Sequence, residues 1–122
     1  MKKIVVIFLL LFSSVLSYST TLTVENLRKE LNIQNVPYPE IVIAQSIIET
    51  GYFKSKLCVK YNNILGLRTK KGYKHYNSWK DCVADYKKLI SSRYKGGNYY
   101  SFLVKIKYAS DKTYIKKLKL IV

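Results

Sequence analysis

The segment Ile41-Val42-Ile43-Ala44-Gln45-Ser46-Ile47-Ile48-Glu49-Thr50-Gly51 constrains this chain more than any other. It is an apolar run of helical length that ends on one carboxylate. Pro39 stands where a helix accepts proline, and Gly51 where a helix commonly stops. Ile41, Ala44 and Ile48 share one stripe and Ile43 and Ile47 another, which predicts a helix buried on most sides. Glu49 then sits in the last turn of a buried helix. Desolvation and the negative end of the helix dipole both act to raise its pKa. A carboxylic acid still protonated near neutral pH is what a glycosidase uses as its general acid. Gln45 lies one turn earlier on the same face and is expected to line the same site. The plain alternative is an acid ending its helix at the surface, solvated or paired with a lysine.

The start of the chain reads as a secretory signal. Lys2 and Lys3 form a charged segment, residues 4–12 an apolar core, and residues 13–19 a small and polar tail. Cleavage is expected after Ser17 or Ser19. The alternative is an uncleaved membrane anchor, but the apolar run falls short of the ~20 residues a spanning helix needs. The domain boundaries are therefore residues 1–19 for the signal and 20–122 for one folded domain. That leaves about 103 residues, enough to bury a core.

The formal net charge is +15, and two of those charges belong to Lys2 and Lys3. A basic exported protein suits an acidic partner such as cell-wall glycan, an anionic lipid surface or nucleic acid, while any single lysine is most simply a solvated one. No nucleic-acid motif is present. The two cysteines, Cys58 and Cys82, allow one disulfide in an oxidising compartment, worth about 3 kcal/mol. Two buried free thiols remain the alternative. With one histidine and no clustered ligands, neither a metal nor a cofactor is expected.

Five or six helices and one hairpin follow from the pattern. Thr21 to Ile33 reads as a helix capped by Thr23, with Leu27 and Leu31 inside. Ser55 caps a short helix through Val59. Gly66 to Tyr76 alternates as a hairpin turning at Lys71-Gly72, with His75 a surface strand residue. Ser78 with Asp81 opens the clearest helix, to Tyr94, through a capping-box arrangement. Tyr99 to Lys107 forms another with Phe102, Leu103 and Ile106 inside. Ser110 is expected to cap the last, with Tyr114, Leu118 and Ile121 on its inner face. The fold class is α+β, mostly α, in which the hairpin can wall a cleft.

Four segments taken together resemble one family. Ala44-Gln45-Ser46-Ile47-Ile48-Glu49-Thr50-Gly51-Tyr52-Phe53-Lys54-Ser55 is similar to the catalytic helix and exit of the peptidoglycan glucosaminidases of the flagellar-muramidase and autolysin type. Asn62-Asn63-Ile64-Leu65-Gly66-Leu67 resembles their asparagine-rich turn. Tyr76-Asn77-Ser78-Trp79 with Asp85-Tyr86 resembles the strand end and following helix. Tyr108-Ala109-Ser110-Asp111-Lys112-Thr113-Tyr114 resembles the signature before the last helix, with Ser110 replacing a threonine. The resemblance implies a lysozyme-like fold, a helical lobe and a small β-hairpin lobe with a glycan groove between. It implies Glu49 as general acid on the N-acetylglucosaminyl-β-1,4-N-acetylmuramic acid bond. It places Tyr76 and Tyr108 at the cleft, or else as core residues with satisfied hydroxyls, and gives Asn63 a role in shaping the turn. The expected partner is the peptidoglycan glycan strand. The protein is expected to act as an exported, wall-associated monomer, without nucleic acid and without stable membrane insertion.

One departure matters. Family members often carry a second carboxylate in the hairpin, whereas Gly66 to Ser78 here contains no Asp or Glu. A single-acid mechanism fits better, with the substrate's acetamido group attacking the anomeric carbon. A lytic transglycosylase also needs one acid, but the glycine-leucine-methionine-glutamine turn associated with those enzymes is absent. A wall-binding protein that kept the groove and lost turnover is the alternative of another class. An exported toxin or phage-type lysin would share the chemistry and differ only in its target.

Overall fold

The helix that carries Glu49 is enclosed by the rest of the chain. The computed structural model describes residues 21–122, and the signal expected over residues 1–19 lies outside them. Among the described residues the order is α1 (Val24–Ile33), α2 (Pro39–Thr50), α3 (Lys56–Val59), β1 (Arg68–Thr69), β2 (Gly72–Tyr73), α4 (Trp79–Arg93), α5 (Tyr99–Lys105) and α6 (Tyr114–Ile121). The fold is α+β and mostly α, as the pattern predicts.

Local chemistry explains most of the helix starts. Thr23, Ser55, Ser78 and Asn98 each accept a hydrogen bond from the backbone N–H three residues on, satisfying a donor the helix itself leaves orphaned. Pro39 opens α2, and Gly51 closes it in the left-handed conformation with its N–H on the Ile47 carbonyl. Every residue from Ile41 to Ile47 is buried. The helix packs on α1 and α6, while α1 also meets α4. Leu27, Leu31, Val83, Tyr86 and Leu118 complete the core around it, each fully buried.

The hairpin is shorter than the alternation predicts. Only Arg68–Tyr73 and Thr69–Gly72 pair across it. Both faces of these strands are largely exposed, so no buried face extends the ladder. Past Tyr73 the chain turns to other partners, with Tyr76 N–H donating to the Tyr61 carbonyl at 2.9 Å. Asn63, with 0% of its surface exposed, staples the hairpin from inside. Its Nδ2 donates to the carbonyls of Leu67 and Lys74 at 2.8 and 2.9 Å, and its Oδ1 accepts from Leu67 N–H at 3.0 Å.

The C-terminal helices also depart from expectation. Ser110 does not cap α6. Asp111 captures Thr113 N–H at 2.8 Å and the Thr113 hydroxyl at 2.7 Å, and the helix begins only at Tyr114. A carboxylate is the stronger acceptor and wins the turn. Helix α5 stops at Lys105, so Ile106 is a half-buried cap residue, and Ile121 is exposed. The two cysteines are free and buried, so the structure holds the two thiols rather than the disulfide. Cys82 Sγ lies 3.7 Å from Asn63 Oδ1, and burial is the main cause that pushes its thiol up to about 12.

Removing the Asn63 amide takes a partner from the Lys74 carbonyl and the Leu67 N–H and leaves the Leu67 carbonyl with the Lys74 N–H alone. Asn63→Ala is expected to cost about 3 kcal/mol of unfolding free energy. Urea unfolding measures the loss. Hydrogen exchange should show it as early opening of the Leu67 and Lys74 amides.

Candidate active site

Glu49 is held by its own helix end, by the hairpin and by α6. Just after it the backbone turns left-handed three times running, with φ of 57° at Gly51, 61° at Tyr52 and 67° at Phe53. Such a conformation costs a side-chain-bearing residue about 1–2 kcal/mol. Thr50 holds the turn together. Its hydroxyl donates to the Ser46 carbonyl at 2.7 Å and accepts from Phe53 N–H at 2.8 Å. Its carbonyl accepts from both Lys54 and Ser55 at 3.0 Å. Strain of this kind persists where the surroundings over-determine it, and it recurs at functional sites.

Gly66 covers the carboxyl from the hairpin side. A Cβ there would stand 2.5 Å from Glu49 Oε2 and 2.9 Å from its Cδ, and the glycine has φ of 68°. Backbone and carboxyl are therefore closer than any side chain permits. Tyr108 fixes the peptide that carries this glycine, its hydroxyl donating to the Leu65 carbonyl at 2.5 Å.

From the opposite lobe the Tyr114 hydroxyl faces Glu49. Burial raises the Glu49 pKa above its ordinary value, and the Tyr114 hydroxyl pulls part of the way back. Behind Tyr114 runs a buried chain of polar side chains. Gln45 Nε2 donates to the Tyr114 oxygen at 3.2 Å, and Tyr86 donates to Gln45 Oε1 at 2.7 Å. The Tyr86 and Tyr99 hydroxyls meet at 2.5 Å. Since the Tyr86 proton is committed to Gln45, Tyr99 is the donor in that pair. The amide of Gln45 likewise occupies the Tyr114 oxygen from behind and leaves the Tyr114 proton free for Glu49.

These contacts sort the residues expected at the site. Glu49 and Tyr108 come together, with their environments coupled through Gly66 and Tyr114. Gln45 shares the helix face of Glu49 as expected, but it is fully buried and reaches the acid through Tyr114 rather than lining an open surface. Asn63, expected to shape the turn, is likewise fully buried, with its amide spent inside the hairpin rather than facing a ligand. Tyr76 is half-buried and donates to Asp85 Oδ2 at 2.6 Å, the same oxygen that Lys74 reaches at 2.7 Å. Burial pushes Asp85 up, but these two hydrogen bonds outweigh it and hold the carboxyl below its ordinary value. Asp85 is thus an ionised clamp between hairpin and α4. Tyr114 and Gly66 are site residues that the sequence reading placed elsewhere, one as a core position and one as the start of a strand.

The arrangement offers one partly exposed carboxyl with a raised pKa, oriented by a hydroxyl and covered by backbone. It can give a proton to a bound oxygen and take one back. Among the described residues no group of three histidine, cysteine or acidic side chains could hold a metal ion.

A family model described as Glucosaminidase, mannosyl-glycoprotein endo-beta-N-acetylglucosaminidase, matches residues 24–122. No curated protein and no solved structure gives a match.

A buried acid with a raised pKa binds more protons in the folded state than in the unfolded one. Its contribution to stability is therefore full below the unfolded carboxylate value of 4.5 and is lost as pH rises from there through the raised folded value. Glu49→Gln is expected to raise Tm at neutral pH and to lose that advantage at a pH of about 3.5, where both states are protonated. Calorimetry at the two pH values measures this.

Proposed function

Because the chain belongs to the glucosaminidase family of glycoside hydrolases, we propose that it is an exported peptidoglycan hydrolase with Glu49 as general acid. The bond cut is the β-1,4 linkage from N-acetylglucosamine to N-acetylmuramic acid. The observation that carries the reading is the pairing of Gly66 with Glu49: a backbone pressed onto a single carboxyl helps desolvate it, which favours its protonated form, while leaving it partly open. The basic charge and the signal-like first 19 residues support export toward an acidic wall. Among the described residues no helix is long and apolar enough to cross a membrane.

The chemistry needs only one acid. Glu49 gives its proton to the glycosidic oxygen as the bond to the anomeric carbon breaks. The acetamido oxygen of the N-acetylglucosamine on the non-reducing side attacks that carbon and closes an oxazolinium ring. Glu49, now a carboxylate, takes a proton from the water that reopens the ring. Tyr114 keeps the carboxyl in one orientation through both steps. Asp85, committed to Lys74 and Tyr76, has no part in proton transfer.

Incubation of purified peptidoglycan with the protein, followed by borohydride reduction and mass spectrometry, should reveal reduced N-acetylglucosamine ends. Glu49→Gln should lower their rate of formation by about 10²–10⁴-fold. Anhydro-muramic ends would make the enzyme a transglycosylase, and no new ends at all would leave a glycan-binding protein.

Tyr114→Phe gives a test with a sign. Activity requires the protonated acid, so kcat/KM falls as pH rises through the Glu49 pKa. The Tyr114 hydroxyl lowers that pKa. Its removal should shift the alkaline limb of the pH profile to higher pH, and an unmoved limb would remove Tyr114 from the site.

A further inference from the structure

Two neighbouring hollows lie at the end of α4, and the smaller of them includes Gly66, the glycine that covers Glu49. This smaller one, of about 250 Å³, is bounded by Gly66 and Tyr108 and by Arg68, Arg93 and Lys107. The larger, of about 620 Å³, has Tyr94, Phe102 and Ile106 as its apolar wall and adds Lys95 and Lys105. The two share Arg93, Ile106 and Lys107, so they meet along that line. Together they form a trough that starts at Gly66, with a cation at five positions of its lining and no acid at any.

Glu30, Glu40, Asp85 and Asp111 each pair with a lysine or arginine elsewhere. None of Arg68, Arg93, Lys95, Lys105 and Lys107 is held by a carboxylate among the described residues. Arg68 instead lies 4.8 Å over the Tyr73 ring. The cations thus face a hollow of small-molecule size that also offers an apolar wall. Like charges gathered around a concave surface repel one another and focus a positive potential into it, which an anionic guest relieves. A bare glycan offers hydroxyls, acetamides and, on each N-acetylmuramic acid, one lactyl carboxylate held close to the sugar. The peptide carried on the lactyl group of N-acetylmuramic acid offers carboxylates together with aliphatic side chains, and that is the combination the trough presents.

We propose that this trough takes the acidic peptide substituent of the glycan strand, so that the substrate class is peptide-bearing rather than bare glycan. This rests on the peptidoglycan reading of the Glu49 site. The strand lies across Glu49, and a peptide leaving it passes Arg93 and Lys107 first. Its carboxylates meet the guanidinium and ammonium groups, and its aliphatic portions lie against Phe102 and Ile106.

The test is binding, so it does not depend on turnover. Glu49→Gln protein is titrated calorimetrically at physiological salt with soluble glycan strands carrying their peptides and with the same strands stripped of them by an amidase. The peptide-bearing strands should bind about tenfold more tightly. Adding Arg93→Glu and Lys107→Glu should abolish that preference and leave binding of stripped strands unchanged. Arg93→Gln with Lys107→Gln, a milder change at the same exposed positions, should reduce the preference in the same direction. Equal binding of the two strands by the Glu49→Gln protein, or an equal loss on both after charge reversal, overturns the proposal. So does full competition by poly(glycerol phosphate), which would make the trough a phosphate-polymer site. A protein that shows the preference yet forms no reduced ends would fail the hydrolase reading alone.

Discussion

The side chain of Asn63 is the interaction on which the rest of the structure depends. One buried amide accepts from Leu67 and donates to the carbonyls of Leu67 and Lys74. A two-residue ladder is not a stable element in water by itself. Asn63 compensates by giving both arms of the hairpin a common internal partner. Tyr76 and Lys74 then clamp the second arm to α4 through Asp85. With the hairpin fixed in this way, Gly66 has one place to be, and that place is against the Glu49 carboxyl.

The second organising device is the row of hydroxyls inside the helical lobe. Tyr99, Tyr86, Gln45 and Tyr114 hand donors forward in one direction, ending at Glu49. Each group is buried, so each must be paired to avoid a desolvation cost. Satisfying that requirement also sets the direction in which the last hydroxyl points. Core stability and the orientation of the acid are therefore met by the same bonds. Three of the twelve tyrosines serve here, as buried, hydrogen-bonded rings.

What could be read from the sequence was mainly what short range determines. Thr23, Ser55 and Ser78 cap helices because the bond each makes spans three residues. Glu49 was legible because helical period and a terminating glycine lie within one segment. The period also put Gln45 on the same face as Glu49, correctly, yet it carries no information about which part of that face meets solvent. The role of Tyr114 escaped because its partner Gln45 lies 69 residues away. Asp111 displaced Ser110 at the start of α6 through competition between two adjacent acceptors, a contest that residue preferences alone do not decide. The hairpin was overextended because alternation records side-chain chemistry, while the ladder ends where Asn63 and Tyr61 offer the backbone other partners.

The close contact between Gly66 and Glu49 makes the acidity of this carboxyl a property of assembly. Glu49 sits near the start of the chain's folded part and Gly66 in the hairpin, and neither α2 nor the left-handed turn after it brings the two together. A partly folded chain with α2 formed but the hairpin undocked carries a better hydrated carboxyl, with its pKa nearer the ordinary value. The raised pKa comes into being only when the hairpin seats. The environment of this acid is therefore shared between two parts of the fold, and loosening the hairpin alone would move its pKa back toward the ordinary carboxylate range.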